Sequence, residues 1–198
     1  MSTIISLVIG YIFGNFQTSY IIARSVKHID IREYGSGNAG STNALRVMGK
    51  KFGLMTFGGD LLKAILAVII ARYIFQDQQA GLYAGLGTVL GHNWPVVLKF
   101  KGGKGIASTL GTILAFNPLI GLGIWVITAV VILTTKYVSV GSMILVILFP
   151  ISIAIFYPGN MQALFVAMVF MLMGLLQHKP NIQRLLKGEE NKLGQKKQ

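Results

Sequence analysis

Cysteine is absent from this chain, and acidic residues are scarce, six Asp and Glu in 198 residues. Without cysteine, neither disulfides nor thiol chemistry contributes. Asp30, Asp60 and Asp77 lie far apart, so the aspartate cluster with which CDP-alcohol phosphotransferases bind metal is missing. Charge as a whole is thin, 12% of residues, against roughly a quarter in a soluble domain. The N-terminus has no basic segment followed by a small-residue cleavage site, so the first apolar block is expected to stay as a span.

What is present is apolar, 53% of the chain, and it falls in long blocks rather than alternating patterns, the signature of a bilayer solvent. Seven blocks can be drawn, at residues 2–23, 53–75, 80–98, 105–116, 119–135, 138–157 and 161–176. The fourth is too short to cross alone, about 18 Å as a helix. These blocks predict an all-α integral membrane protein, a bundle of about seven transmembrane helices, with residues 1–198 forming a single polytopic membrane domain.

The net charge of +12 does not require nucleic acid, because basic residues of a membrane chain collect in its cytoplasmic loops. With the N-terminus outside, residues 24–52, 99–104, Lys136 and the tail from Gln177 face inwards and hold 16 of the 18 Lys and Arg residues. Only Lys63 and Arg72, both in the second block, are left over. The C-terminus is therefore expected in the cytoplasm.

This threading gathers three polar clusters on the cytoplasmic side. The first reads Gly35-Ser36-Gly37-Asn38-Ala39-Gly40-Ser41-Thr42-Asn43-Ala44-Leu45-Arg46. Its G-x-G-x-x-G spacing, with Asp60 twenty residues on, is not a dinucleotide fingerprint, because no buried strand precedes it. Glycines that let backbone N–H groups approach an anion, short hydroxyl and amide donors, and the fork of Arg46 point instead to a phosphate site. A turn-rich linker is the plainer alternative, and it explains the donors less well. The second cluster reads Gly91-His92-Asn93-Trp94-Pro95 and then Lys99-Phe100-Lys101-Gly102-Gly103-Lys104-Gly105. It runs straight into an apolar helix, so free amides and the positive end of the helix dipole stand beside three lysines. Walker A spacing is absent. The third reads Gln177-His178-Lys179-Pro180-Asn181-Ile182-Gln183-Arg184-Leu185-Leu186-Lys187-Gly188-Glu189. Pro180 starts a helix and Gly188 ends it, with His178, Asn181 and Arg184 on one polar line. Alone, it reads equally well as an amphipathic tail on anionic lipid. Asp60 and Lys63, three apart in the second block, either pair structurally or leave Asp60 to orient Arg46 or Lys104.

In order and content the three clusters resemble the motifs of the PlsY family, bacterial glycerol-3-phosphate acyltransferases that use acyl phosphate. Ser36-Gly37-Asn38, Gly40, Thr42-Asn43, Arg46 and Gly49 are similar to the first motif. Gly91-His92, Trp94-Pro95 and Phe100-Lys101-Gly102-Gly103-Lys104-Gly105 are similar to the second. His178, Asn181-Ile182, Arg184-Leu185-Leu186, Gly188 and Glu189 are similar to the third. Departures are Gly14-Asn15-Phe16-Gln17 in place of a Gly-Ser-Ile-Pro sequence, Ser41 where Ala is common, and Gln177 and Lys179 in place of arginines.

The resemblance implies transfer of a fatty acyl group from acyl phosphate to the sn-1 hydroxyl of glycerol 3-phosphate, giving lysophosphatidic acid and phosphate. No cofactor or metal is implied, and membrane lipid surrounds the site. It implies that His178, Lys104, Arg46 and Asn181 carry the chemistry. Ser36, Gly37, Asn38, Thr42, Asn43, Lys101, Gly102, Gly103, Gly105, Ser142 and Arg184 would bind substrate, with Asp60 and His92 in support. The glycine loop would hold the acyl-phosphate head group by backbone N–H groups. Whether His178 acts as base or the substrate phosphate takes the proton stays open, with the second preferred. The His-x-x-x-x-Asp signature of acyl-CoA acyltransferases is absent, since Glu33, Val97 and Gln183 stand five residues after His28, His92 and His178. A transporter would line a path to both sides with polar groups, and a nonenzymatic lipid-binding protein has no use for so many donors beside Arg46.

Overall fold

The computed structural model describes residues 1–194, so the tail lysines 196 and 197 lie outside the described residues. Among those residues there is no strand. The chain divides into two compact units, residues 1–118 and 119–198.

The first unit begins with α1 (Ser2–Gly14) and α2 (Thr18–Lys27). Together they make a 26-residue apolar stretch long enough to cross a membrane, but it is broken at residues 15–17 rather than continuous as expected. A break within a bilayer strips carbonyls of their helical partners. Two side chains repair it here. The Lys63 ammonium donates to the carbonyls of Phe16 and Gly14, and Gln17 Nε2 donates to Gly14 O at 2.9 Å. A short 3-10 turn (Ile31–Glu33) and α3 (Ser41–Met48) follow, then α4 (Lys50–Phe75), α5 (Gln78–Asn93) and α6 (Ile106–Phe116). Helix α4 is 26 residues long and contains an 18-residue window of mean hydropathy 1.9, within about 39 Å of helix. Helix α5 stops at Asn93, two residues before Pro95, because proline forbids helical conformation to the residue ahead of it. Helix α6 has 11 residues and is as short as expected.

Small residues set the spacing inside this unit. Gly10 and Gly14 of α1 meet Gly87 and Gly91 of α5 backbone to backbone. A Cβ at Gly10 would land on Ala84 O, and one at Gly87 on Leu7 O. Four-residue glycine spacing on both helices is how apolar helices approach closely where lipid is as apolar as leucine. Arg72, one of the two cations left over by the charge threading, donates to Ala115 O at 2.9 Å and so closes the C-terminal turn of α6.

The second unit holds α7 (Pro118–Thr135), α8 (Val138–Phe156), α9 (Met161–Gln177) and α10 (Lys179–Leu186). Helices α7 and α8 are long and apolar enough to span, and α9 with α10 forms a pair bent by 55°. Phe149 and Phe170 meet edge to face at 5.5 Å between α8 and α9. Helix α10 begins with Pro180 in its first turn, and Gly188 beyond its end has φ +71°, as the sequence predicted. By length and composition four helices can cross a membrane, or five if the bent pair is one span. That is an all-helical membrane architecture, with fewer long spans than the seven blocks suggested.

A side chain at Gly87 meets backbone that cannot move aside. We expect Gly87→Val to lower the melting temperature of detergent-purified protein, with a destabilisation larger than the ~1–3 kcal/mol typical of overpacking. Gly58→Ala in α4, where nothing lies within 4 Å of an added Cβ, should leave it unchanged or raised.

Candidate active site

In the first unit the first two clusters come together. Residues 34–40 form a tight loop into α3, shaped by one buried side chain. Asn43 Nδ2 donates to the carbonyls of Ile31, Tyr34 and Asn38, each at 3.0 Å, and its Oδ1 accepts from Ser36 N at 2.8 Å. Asn43 was expected to bind substrate; with its whole amide committed to the loop and 1% exposed, it instead holds Ser36 in place. Gly37 has φ +75°, a conformation that excludes most side chains. Ser36 and Gly37 are exposed, as is Arg46 at the last turn of α3, while Asn38 and Thr42 are half-buried.

The second cluster docks onto the end of α5. The N–H of Gly102 donates to Asn93 O at 3.2 Å and that of Gly103 to His92 O at 3.0 Å. These are last-turn carbonyls with no partner inside their own helix. The glycines are needed here for closeness: a Cβ on Gly102 would strike His92 O and Pro95, and one on Gly103 the His92 ring. This corrects the expectation that the amides of Gly102 and Gly103 hold an anion, since both are used by the protein. The amides that enter α6 begin later, from Gly105 (φ +74°) through Ile106 and Ala107, where a helix start has no earlier carbonyl to meet them. Lys104 is half-buried beside them, and Lys101 is exposed.

Arg32 binds the two clusters to each other. It pairs with Asp30 at 2.6 Å and extends Nη1 to the carbonyls of Leu98 at 2.9 Å and Lys101 at 3.3 Å. Ala39 N also donates to Gly102 O at 3.3 Å. The hydrogen-bonded guanidinium holds the Asp30 carboxyl below its ordinary range. Sequence reasoning missed Arg32 because it lies outside every glycine-rich stretch. Below the loop, Asp60 pairs with Lys63 at 2.9 Å and accepts from Thr18 at 2.9 Å. Of the two alternatives open for Asp60, the structure shows the pairing with Lys63, with His92 Nδ1 at 3.7 Å from the same carboxylate.

The second unit carries the third cluster around a carboxylate that the sequence reading passed over. Glu190, rather than Glu189, accepts from Asn181 at 2.7 Å, Ser139 at 2.9 Å and Arg184 at 2.7 Å. Burial raises its pKa, but these three hydrogen bonds, led by that from Asn181, outweigh it, and the net shift is downward. Arg184, expected at substrate, is thus ion-paired in place. His178 is buried, with Nδ1 2.7 Å from Gly174 O. A carbonyl only accepts, so Nδ1 carries a hydrogen. Ser142 is buried in the first turns of α8.

Comparison with known proteins gives a consistent answer. The sequence model of a family described as "Glycerol-3-phosphate acyltransferase" matches residues 4–188. A glycerol-3-phosphate acyltransferase of Clostridioides difficile is 45% identical over 202 residues, covering 100% of this chain and 98% of the relative. One from Thermoanaerobacter sp. is 43% identical over 196 residues, covering 99% and 98%. A crystal structure of PlsY, described as an integral membrane glycerol 3-phosphate acyltransferase in its glycerol 3-phosphate form, superposes with TM-score 0.90 at 34% identity, covering 98% of this chain and 96% of that one. Its lysophosphatidic acid form superposes with TM-score 0.88.

Because the Glu190 carboxyl is held below the ordinary value of 4.5, its contribution to stability is present above that pH and is lost as pH falls through the folded-state value. Glu190→Gln should lower stability at neutral pH by about 1–3 kcal/mol. Melting curves across pH should show the gap from wild type closing below pH 4.5.

Proposed function

This chain belongs to the glycerol-3-phosphate acyltransferase family typified by PlsY, and from that premise we propose that it transfers a fatty acyl group from acyl phosphate to the sn-1 hydroxyl of glycerol 3-phosphate. The observation that carries the proposal is the lysine-glycine loop, which leads directly into α6 while hydrogen-bonded to the Ser36–Arg46 segment. It supplies amides, a helix dipole and Lys104 to one anionic head group. Acyl phosphate suits it, being anionic and apolar at once, as a site at a membrane surface requires.

The reaction needs little from the protein beyond position and charge. Acyl phosphate is a mixed anhydride, already activated. The sn-1 oxygen attacks the acyl carbon, the carbon–oxygen bond to phosphate breaks, and the hydroxyl proton passes to the departing phosphate. Holding both substrates in line contributes through proximity, and cations aimed at the phosphate oxygens stabilise the charge that develops there. We assign Lys104 and the amides of Gly105, Ile106 and Ala107 to the acyl-phosphate head group. Ser36, Arg46, His178 and Asn181 are assigned to glycerol 3-phosphate, with Asn38, Thr42, Lys101 and Ser142 contributing donors. In this route His178 orients the substrate and does not take the proton. We also propose that the chain works as a single membrane domain of about seven helices, N-terminus outside and C-terminus in the cytoplasm of a bacterial cell, with the reaction at the cytoplasmic face of the inner membrane. The positions of 16 of the 18 Lys and Arg residues support that orientation.

Purified protein given acyl phosphate, acyl-CoA or acyl carrier protein as alternative donors should make lysophosphatidic acid from the first alone. Production from acyl-CoA only would remove the donor assignment. In the same assay Lys104→Ala should lose about 2–4 kcal/mol of transition-state stabilisation; full activity would remove the loop from the site. His178→Gln retains a side-chain acceptor but no titrating group. Measurable turnover, within ~100-fold of wild type, is expected if phosphate takes the proton. A collapse beyond 10⁴-fold would make the histidine the base.

A further inference from the structure

A lysine buried in apolar surroundings next to one carboxylate needs a reason beyond pairing, because an ion pair is readily replaced by apolar side chains at little cost. Lys63 is 6% exposed. Its ammonium lies 2.9 Å from Asp60 Oδ1 and 2.9 Å from His92 Nδ1, and it also donates to the Phe16 carbonyl. Asp60 is itself fixed by the Thr18 hydroxyl. The group is thus held from α2, α4 and the break after α1.

An ammonium has hydrogens to give and no lone pair. Lys63 therefore requires His92 Nδ1 to accept, which places the ring hydrogen on Nε2. The far edge of that ring is where the glycine loop rests: an added Cβ at Gly103 would meet Nε2 first, then Cδ2 and Cε1. The backbone of the same histidine accepts the Gly103 amide at 3.0 Å, and Gln17 Nε2 donates to its carbonyl at 3.2 Å. Both faces of His92, side chain and carbonyl, are thus set from below while Gly103 sits on top.

We propose that Lys63 is a positioning residue: by fixing His92 in its Nε2-protonated form it sets the seat of the Gly102–Gly103 turn, and thereby where Lys104 and the first amides of α6 meet the anionic substrate. Lys63 touches no substrate, and its effect passes through His92. This inference rests on the loop being a substrate site, and its first test does not.

That test is nitrogen NMR of histidine-labelled protein in lipid nanodiscs, with the His92 signals assigned by their loss in His92→Asn. An unprotonated Nδ1 with a hydrogen on Nε2 is expected. The opposite tautomer, or an imidazolium, overturns the inference whether or not the enzyme is active. The kinetic arm uses Asp60→Asn/Lys63→Met, which leaves no unpaired buried charge, beside Lys63→Arg. With acyl phosphate and glycerol 3-phosphate, KM for one anionic substrate should rise about tenfold or more in the double variant, as for other supporting contacts. The kcat should change far less, and Lys63→Arg should recover part of the loss. A purely structural Lys63 would lower the yield and melting temperature while leaving KM unchanged, and that result also overturns it. Should the double variant not fold, the tautomer alone decides. Absence of acyl transfer in wild type would refute the proposed reaction and leave the tautomer result standing.

Discussion

The last turn of α5 carries three carbonyls, of Gly91, His92 and Asn93, whose helical partners Pro95 has removed. Such groups are costly in an apolar interior unless something donates to them. Gln17 Nε2 reaches Gly91 O and His92 O at 3.4 and 3.2 Å, and the amides of Gly103 and Gly102 take His92 O and Asn93 O. Satisfying this turn therefore ties down both the break in the first span and the glycine loop. The loop lies where it does because backbone hydrogen bonding demands it, and the position of Lys104 follows from that placement.

Glycine serves two separate ends within a few residues. At Gly102 and Gly103 the missing side chain allows contact with α5, whereas at Gly105 a positive φ turns the chain into α6. A run of glycines beside lysines invites one explanation, an anion cradle. Half of it is a docking surface for the protein's own backbone. Replacing either kind of glycine would disturb the loop, by a shifted contact in one case and a strained turn in the other.

Much of the architecture could be read from residues. The apolar blocks, the short fourth block, the proline that opens α10 and the glycine that follows it all come from local chemistry acting on nearby residues. What escaped was what depends on distant partners. The break at residues 15–17 is held by Gln17 nearby and by Lys63, some fifty positions later, which no local reading connects to it. Arg32 resembles any loop cation until its fork is seen spanning the carbonyls of Leu98 and Lys101. Asn43 looks like one donor among several until the loop folds around it. Glu190 sits beside an identical residue, and only the convergence of Ser139, Asn181 and Arg184 distinguishes them.

The scarcity of acid takes on meaning beside these partners. Asp30 is paired with Arg32, Asp60 with Lys63 and Glu190 with Arg184, so the carboxylate embedded in each polar region is answered by a cation of its own. A dianionic head group approaching a loop with an unanswered carboxylate nearby would meet repulsion, several-fold stronger near a low-dielectric wall than in water. By answering each such charge locally, the protein uses these acids as rigid acceptors that fix Arg32, Lys63 and Arg184. Rigidity is thereby gained from carboxylates within each unit without leaving these embedded negative charges uncompensated.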